Sequence, residues 1–89
     1  MMDLKKYLSN EEDIEFVEEI AGALSTDCQC EVFLKYGELP LLLEPHGEKI
    51  EVWSHGVMLA RCINIDDLFL NFKLNEKPFV LCTVDMEFD

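Results

Sequence analysis

The chain has 89 residues, which are enough for one domain and too few for two. Its apolar fraction of 49% is high for a disordered chain and predicts a folded core. The net charge of -12, from 19 acids against 7 lysines and arginines, argues against direct binding to nucleic acid or to anionic lipid and favours basic partners.

The first predicted elements are one or two helical turns from Asp3 to Leu8 and a helix from about Asn10 to Leu24. Ser9 and Glu12 have the spacing of a capping box, in which each side chain bonds the other residue's free backbone N–H. At about 100° per residue, one face of this helix is apolar; its members are Ile14, Val17, Ile20, Ala21 and Leu24. Five glutamates share an arc of roughly 120° on the opposite face. They are Glu11, Glu12, Glu15, Glu18 and Glu19.

Four stretches with a strand pattern follow the helix. They are CQCEVFLKY (28–36), LLLE (41–44), KIEVWS (49–54) and VMLARCI (57–63). The predicted turns between them are YGELP, PHGEK and SHG, and Gly47 supplies the permissive backbone of the second turn. Pro40 favours an edge position for the second strand, or pairing that begins after it.

Residues 65–74 fit two patterns. In the helical pattern, Asn64 is the N-cap and Asp66 and Asp67 lie in the first turn. The apolar face of that helix is Ile65, Leu68, Phe69 and Phe72. In the strand pattern, alternate residues are apolar and NEKP forms a hairpin loop. We favour the helix because both the cap and the acidic first turn match it.

The segment PFVLCTVDMEF (78–88) predicts a last strand. The whole chain, residues 1–89, is therefore expected to form one α+β domain, with a meander of four or five antiparallel strands. One long N-terminal helix and one short helix are expected to pack on one face of the sheet. The alternation directs Phe33 and Trp53 to the other face, which a three-layer arrangement, a homodimer or a bound partner would explain.

Metal binding and catalysis have little support. Four cysteines and two histidines would be enough for a zinc site, but no C-x-x-C pair is present. The cysteines occupy strand-like apolar stretches, so we expect reduced thiols in the core and no metal or cofactor. The sequence also has no phosphate-binding loop and no nuclease motif. Because these catalytic motifs are missing, we expect a protein that is not an enzyme. It also shows no signal peptide or membrane segment, so we expect it to be cytoplasmic.

The glutamates of the long helix are the strongest functional signal. Like charges at i,i+3 and i,i+4 cost a few tenths of a kcal/mol per pair, and a lysine at Glu15 or Glu19 would remove that cost. The five carboxylates span about 12 Å of helix, and the same length of DNA carries about seven charges. We expect this face, extended by Asp66 and Asp67, to bind a Lys- and Arg-rich groove. The alternative is that the acids only keep the protein soluble.

In size and charge the chain resembles small acidic phage inhibitors that imitate nucleic acid, such as anti-restriction and anti-CRISPR proteins. This resemblance lies in composition, and it implies an inhibitor without assigning a role to any residue. Two other functions fit the sequence. An adaptor or structural module would use the apolar face with Phe33 and Trp53, whereas an immunity protein or antitoxin would use the acidic helix against a basic toxin.

Overall fold

The computed structural model describes residues 2–36 and 39–89 and confirms the α+β fold. The helices are α1 (Glu11–Ser25), α2 (Ile65–Leu70) and α3 (Phe79–Cys82). The strands of the main sheet are β1 (Cys30–Leu34), β2 (Pro40–His46), β3 (Lys49–Ser54), β4 (Val57–Cys62) and β7 (Met86–Phe88). A separate hairpin consists of β5 (Lys73–Leu74) and β6 (Lys77–Pro78), and single 3-10 turns lie at Leu4–Lys6 and Thr83–Asp85.

The main sheet has the strand order β4–β3–β2–β1–β7, and its pairs are antiparallel. The first four strands form the predicted meander, and β7 returns from the end of the chain to lie beside β1. The two hairpin turns between β2, β3 and β4 contain Gly47 and Gly56, both with left-handed φ angles, of 66° and 77°. Both turns are as predicted. The predicted turn YGELP includes Gly37 and Glu38, which lie outside the described residues.

Pro40 begins β2, which is an interior strand between β1 and β3 and not an edge strand. A proline is tolerated as the first residue of a strand because its missing N–H is needed least there. The carbonyl oxygen of Pro40 accepts a hydrogen bond from the Ser54 hydroxyl at 2.7 Å. The side chain of Ser54 therefore fixes the beginning of β2 against the end of β3.

The N-terminus of α1 differs from the predicted capping box. Asn10 is the N-cap, and its side-chain oxygen accepts a hydrogen bond from the Glu12 N–H at 2.8 Å. The predicted box between Ser9 and Glu12 is therefore wrong. Asn and Ser are about equally good N-caps, so two such residues in succession leave the sequence pattern without a reason to choose between them.

The core lies between the helices and one face of the sheet. α1 buries Val17, Ile20, Ala21 and Leu24, and it packs against β1 and β2. α2 buries Leu68 and Phe69, and it packs against β3 and β4. The sheet contributes alternate residues from each strand; these include Cys30, Val32, Leu41, Leu43, Ile50, Val52 and Cys62. The predicted packing of a long and a short helix on one face is confirmed.

The helical interpretation of residues 65–74 is confirmed for its first part. α2 ends at Leu70, and the Asn64 side chain caps it by accepting a hydrogen bond from the Asp67 N–H at 2.8 Å. The chain then forms the β5–β6 hairpin, whose turn residues Asn75 and Glu76 have φ angles of 52° and 67°. Each of the two competing patterns therefore describes part of this segment.

The prediction of one strand over residues 78–88 is wrong for most of its length. Within this range Pro78 ends β6 and Met86–Phe88 forms β7, whereas Phe79–Cys82 forms α3 and Thr83–Asp85 forms a 3-10 turn. The ring of Phe79 is fully buried, 5.4 Å from the ring of Phe69 and 5.7 Å from that of Phe72. A short apolar run fits a buried helical turn as well as a strand, and this aromatic packing decides between them.

β1 is shorter than predicted at both ends. Cys28 is exposed, because it belongs to the C-terminal cap of α1, where its N–H donates to the Ala23 carbonyl at 2.9 Å. Tyr36 lies beyond the strand and is 77% exposed. The other three cysteines, Cys30, Cys62 and Cys82, are buried as predicted. Among the described residues, no helix combines the length and the apolar content needed to cross a membrane.

Candidate acidic interface

The five glutamates of α1 are all exposed, and they lie on the side of the helix that faces away from the sheet. We call these residues, Glu11, Glu12, Glu15, Glu18 and Glu19, the acidic face. Half-buried Phe16 lies at its border, and its ring is 4.6 Å from the ring of Phe88 on β7. The helix is therefore fixed to the sheet on one side and presents the acidic face to solvent on the other.

None of the ion pairs in the described part of the chain involves the acidic face. The ion pairs found among residues 2–36 and 39–89 join His46 to Glu44, His46 to Glu51 and Arg61 to Glu51. All of these residues belong to β2, β3 and β4. The glutamates of α1 thus keep their mutual repulsion, and a cationic surface that approached this face would meet five uncompensated carboxylates.

The structure separates the two aspartates that were expected to extend this face. Asp66 is exposed and borders a cavity of about 500 Å³, which Leu24 and Ser25 at the end of α1 also line. The carboxylate of Asp67 accepts hydrogen bonds from the Asn71 side chain at 2.7 Å and from the Ile63 N–H at 2.9 Å. These bonds, that of Asn71 first, hold the pKa of Asp67 below its ordinary value. Asp66 is thus exposed to solvent, whereas Asp67 stabilises the start of α2.

The opposite face of the sheet carries an apolar band. Phe33 and Trp53 are half-buried there, as the alternation predicts, and Leu42 pairs with Trp53, which in turn pairs with Met58. The band, formed by Phe33, Leu42, Trp53 and Met58, is not part of the buried core cluster of the described residues. Leu42 and Met58 were missed at the sequence level, because only the strand register shows that they neighbour Trp53.

A charged network borders this apolar band. Glu51 accepts hydrogen bonds from the Trp53 indole N–H at 3.2 Å and from Arg61 at 3.1 Å, and His46 Nε2 lies 3.1 Å from its carboxylate. Desolvation raises the pKa of Glu51, but the bonds from Trp53 and Arg61 and the charges of His46 and Arg61 outweigh it, so that the pKa is lowered. Glu51 therefore remains ionised and fixes the orientation of the Trp53 ring.

Glu44, His46 and Glu51 have ligand atoms within 4.8 Å of one another, as a metal site requires. His46 already lies 2.9 Å from Glu44, and Arg61 occupies the second oxygen of Glu51, so ion pairs within the chain account for the cluster. The buried thiols suit a metal less well. Burial, followed by the charge of Asp67, raises the pKa of Cys62 to about 11, which disfavours the thiolate that binds metals.

A pair of acids at the β1–β7 junction was also missed at the sequence level. The Asp89 N–H donates to the Glu31 carbonyl at 3.0 Å and brings the two side chains together. A hydrogen bond with the Asp89 carboxyl, followed by the charge of Asp89, raises the pKa of Glu31. The molecule thus has acids on both its helical and its open sheet face.

Comparison with known proteins finds no family model, curated protein or solved structure that matches this chain.

Proposed function

We propose that this protein is a non-enzymatic inhibitor that imitates nucleic acid and blocks the basic groove of a nucleic-acid-binding protein. The acidic face of α1 would be the contact surface, with Asp66 beyond its C-terminal end. The observation that carries the proposal is a difference in ion pairing between Glu51 on the sheet and the glutamates of the acidic face. Glu51 has Arg61 and His46 as partners, whereas no ion pair among the described residues involves the acidic face.

Helix geometry supports this function. The side chains of α1 advance by about 1.5 Å per residue, so Glu11 and Glu19 are about 12 Å apart along the axis, a length over which duplex DNA carries about seven charges. The opposite side of the helix is packed against β1 and β2. A partner therefore meets a row of carboxylates on a backbone that is already ordered, and the entropy lost on binding is mainly that of the glutamate side chains.

The test is displacement of a labelled DNA duplex from a panel of purified restriction endonucleases and CRISPR effectors, followed by fluorescence anisotropy. We expect the wild-type protein to displace the DNA from at least one of them, and we expect its affinity to fall as salt increases. A variant with Glu12, Glu15 and Glu19 changed to Lys should bind at least about tenfold more weakly, equivalent to about 1.4 kcal/mol.

The matched control carries the same three charge changes at exposed positions outside α1, namely Glu48, Glu76 and Glu87. It has the same net charge as the helix variant, so any difference between the two reports on the acidic face itself. We expect the control to keep most of the wild-type affinity. Equal losses in the two variants would show that only net charge matters, and wild-type affinity in the helix variant would reject the proposal. A basic toxin in place of the nucleases tests the immunity-protein function in the same assay.

The apolar band supports a second candidate function, that of an adaptor or structural module. A depression of about 370 Å³ lies beside Trp53 and Leu42, and the acids Glu31, Glu44 and Asp89 also line it. An apolar floor with an acidic rim suits a partner residue such as lysine or arginine, whose stem is apolar and whose tip is charged. If this function is correct, Trp53→Ala abolishes partner binding while the triple lysine variant of α1 retains it.

A further inference from the structure

The two edges of the main sheet differ in charge and in polarity. β7 forms one edge; it has only three residues, and Asp85, Glu87 and Asp89 lie in or beside it. β4 forms the other edge with six residues, and the stretch from Val57 to Ile63 contains no acid although the chain has 19. Short strands and charges discourage the pairing of sheet edges between molecules. The edge at β7 has both of these features, whereas that at β4 is open.

The side chains along β4 are also unusually apolar for an exposed strand. Val57 is 59% exposed, Leu59 44% and Ile63 65%, and Met58 is 37% exposed at the end of the apolar band. The one charge of the strand, on Arg61, is neutralised by Glu51 of β3 at 3.1 Å. A β-bulge between Met58 and Ala60 leaves Leu59 without a partner on β3. In the described part of the chain, β4 pairs with β3 alone.

We propose that β4 pairs antiparallel with β4 of a second copy of this chain, so that the two sheets become one continuous sheet. A second copy fits this edge because β4 brings no acid into the contact, so two molecules of net charge -12 place no carboxylates of the paired strands opposite each other. The contact is self-complementary, with backbone N–H and C=O groups and apolar side chains on both sides. It leaves the acidic face free, since α1 packs against β1 and β2 and β3 separates these strands from β4.

The test is sedimentation velocity across a range of protein concentrations with two matched variants. Leu59→Lys places a charge on the edge, and Val84→Lys makes the same charge change at a residue of similar exposure, 41%, outside the edge. Both variants lower the net negative charge of each copy, but only Leu59→Lys places two lysines at the paired edge, so a loss of dimer in that variant alone reports on this edge. We expect a wild-type dimer, at least tenfold weaker association for Leu59→Lys, and unchanged association for Val84→Lys.

The dependence of binding on salt concentration distinguishes dimer formation through β4 from the proposed function of the acidic face. Salt screens the repulsion between two acidic copies, so the dimer should strengthen as salt increases, whereas binding of a basic partner to the acidic face should weaken. Amide hydrogen exchange provides a second measurement, in which residues 57–62 should become more protected as protein concentration rises. A wild-type protein that stays monomeric up to millimolar concentration overturns the proposal. So does a dimer that survives Leu59→Lys, or one that Val84→Lys dissociates equally.

Discussion

At the scale of single residues, the surroundings of each acid matter more than the total number of acids. Glu51 and Glu31 lie on the same open face of the sheet, but their pKa values shift in opposite directions. The pKa of Glu51 is lowered, because donors and cations surround its carboxylate and outweigh its desolvation. The pKa of Glu31 is raised, because its neighbour is the carboxyl of Asp89. Close strand pairing therefore stabilises one acid and destabilises the ionised form of the other.

Replacement of Glu31 by glutamine is expected to stabilise the protein at neutral pH. A raised pKa means that the folded state favours protonated Glu31, so the stability it contributes is present below the ordinary value of 4.5 and is lost as pH rises through the raised pKa. The glutamine side chain stays neutral at every pH and can still donate to Asp89. Thermal unfolding should therefore give a higher Tm for Glu31→Gln than for wild type at neutral pH, and the difference should shrink in acid.

The control for this prediction is Glu48→Gln, which removes the same charge from the exposed turn between β2 and β3. It corrects for the general relief of repulsion in an acidic protein. If Glu48→Gln raises Tm as much as Glu31→Gln does, the interaction between Glu31 and Asp89 has no separate effect on stability.

At the scale of elements, the sequence predicted those features of the helices and turns that depend on contacts within a few residues. The period of α1, the cap at Asn64 and the glycine turns are set within a few residues, and the structure has them. The end of the chain was predicted poorly because its conformation depends on distant partners. Phe79 is helical because its ring packs against Phe69 and Phe72, and β7 is a strand because β1 lies beside it. Neither contact is visible in a window of the sequence.

A pair of alanine substitutions tests this account of α3. Strand alternation would put Phe79 and Leu81 on the same face, whereas the structure buries Phe79 completely and leaves Leu81 39% exposed. We expect Phe79→Ala to cost about 3–5 kcal/mol of unfolding free energy, because it leaves a cavity in the core. Leu81→Ala should cost less than about 1 kcal/mol. Urea denaturation measures both, and similar costs for the two would contradict the helical packing of this segment.

At the scale of the whole molecule, the described ion pairs and the acidic face lie on different parts of the fold. The described ion pairs lie on the sheet, whereas the acidic face lies on the solvent side of α1. Helical periodicity alone predicts that the five glutamates share one side. The apolar band could be predicted only in part, since Phe33 and Trp53 follow from alternation but Leu42 and Met58 follow from the register. The open edge at β4 depends on the order of the strands, which alternation does not give.

The acidic face also predicts that stability and binding change in opposite directions. Glu15 has four acidic neighbours at i±3 and i±4, namely Glu11, Glu12, Glu18 and Glu19. Glu15→Lys turns each of these repulsions into an attraction, which should raise the unfolding free energy by about 1–2 kcal/mol in total. If the proposed function is correct, the same change weakens binding to the basic partner. Urea denaturation and DNA displacement measure the two effects on one variant.

Glu48→Lys is the control, because it makes the same charge change in a turn outside the helix and should alter stability by no more than about 0.5 kcal/mol. If Glu15→Lys is more stable and binds less well, the uncompensated glutamates reduce stability and serve recognition. If it is more stable and binds as well as wild type, the row of carboxylates is not the contact surface. Repulsion on α1 would then reflect solubility alone, and the apolar band around Trp53 would become the stronger candidate for partner binding.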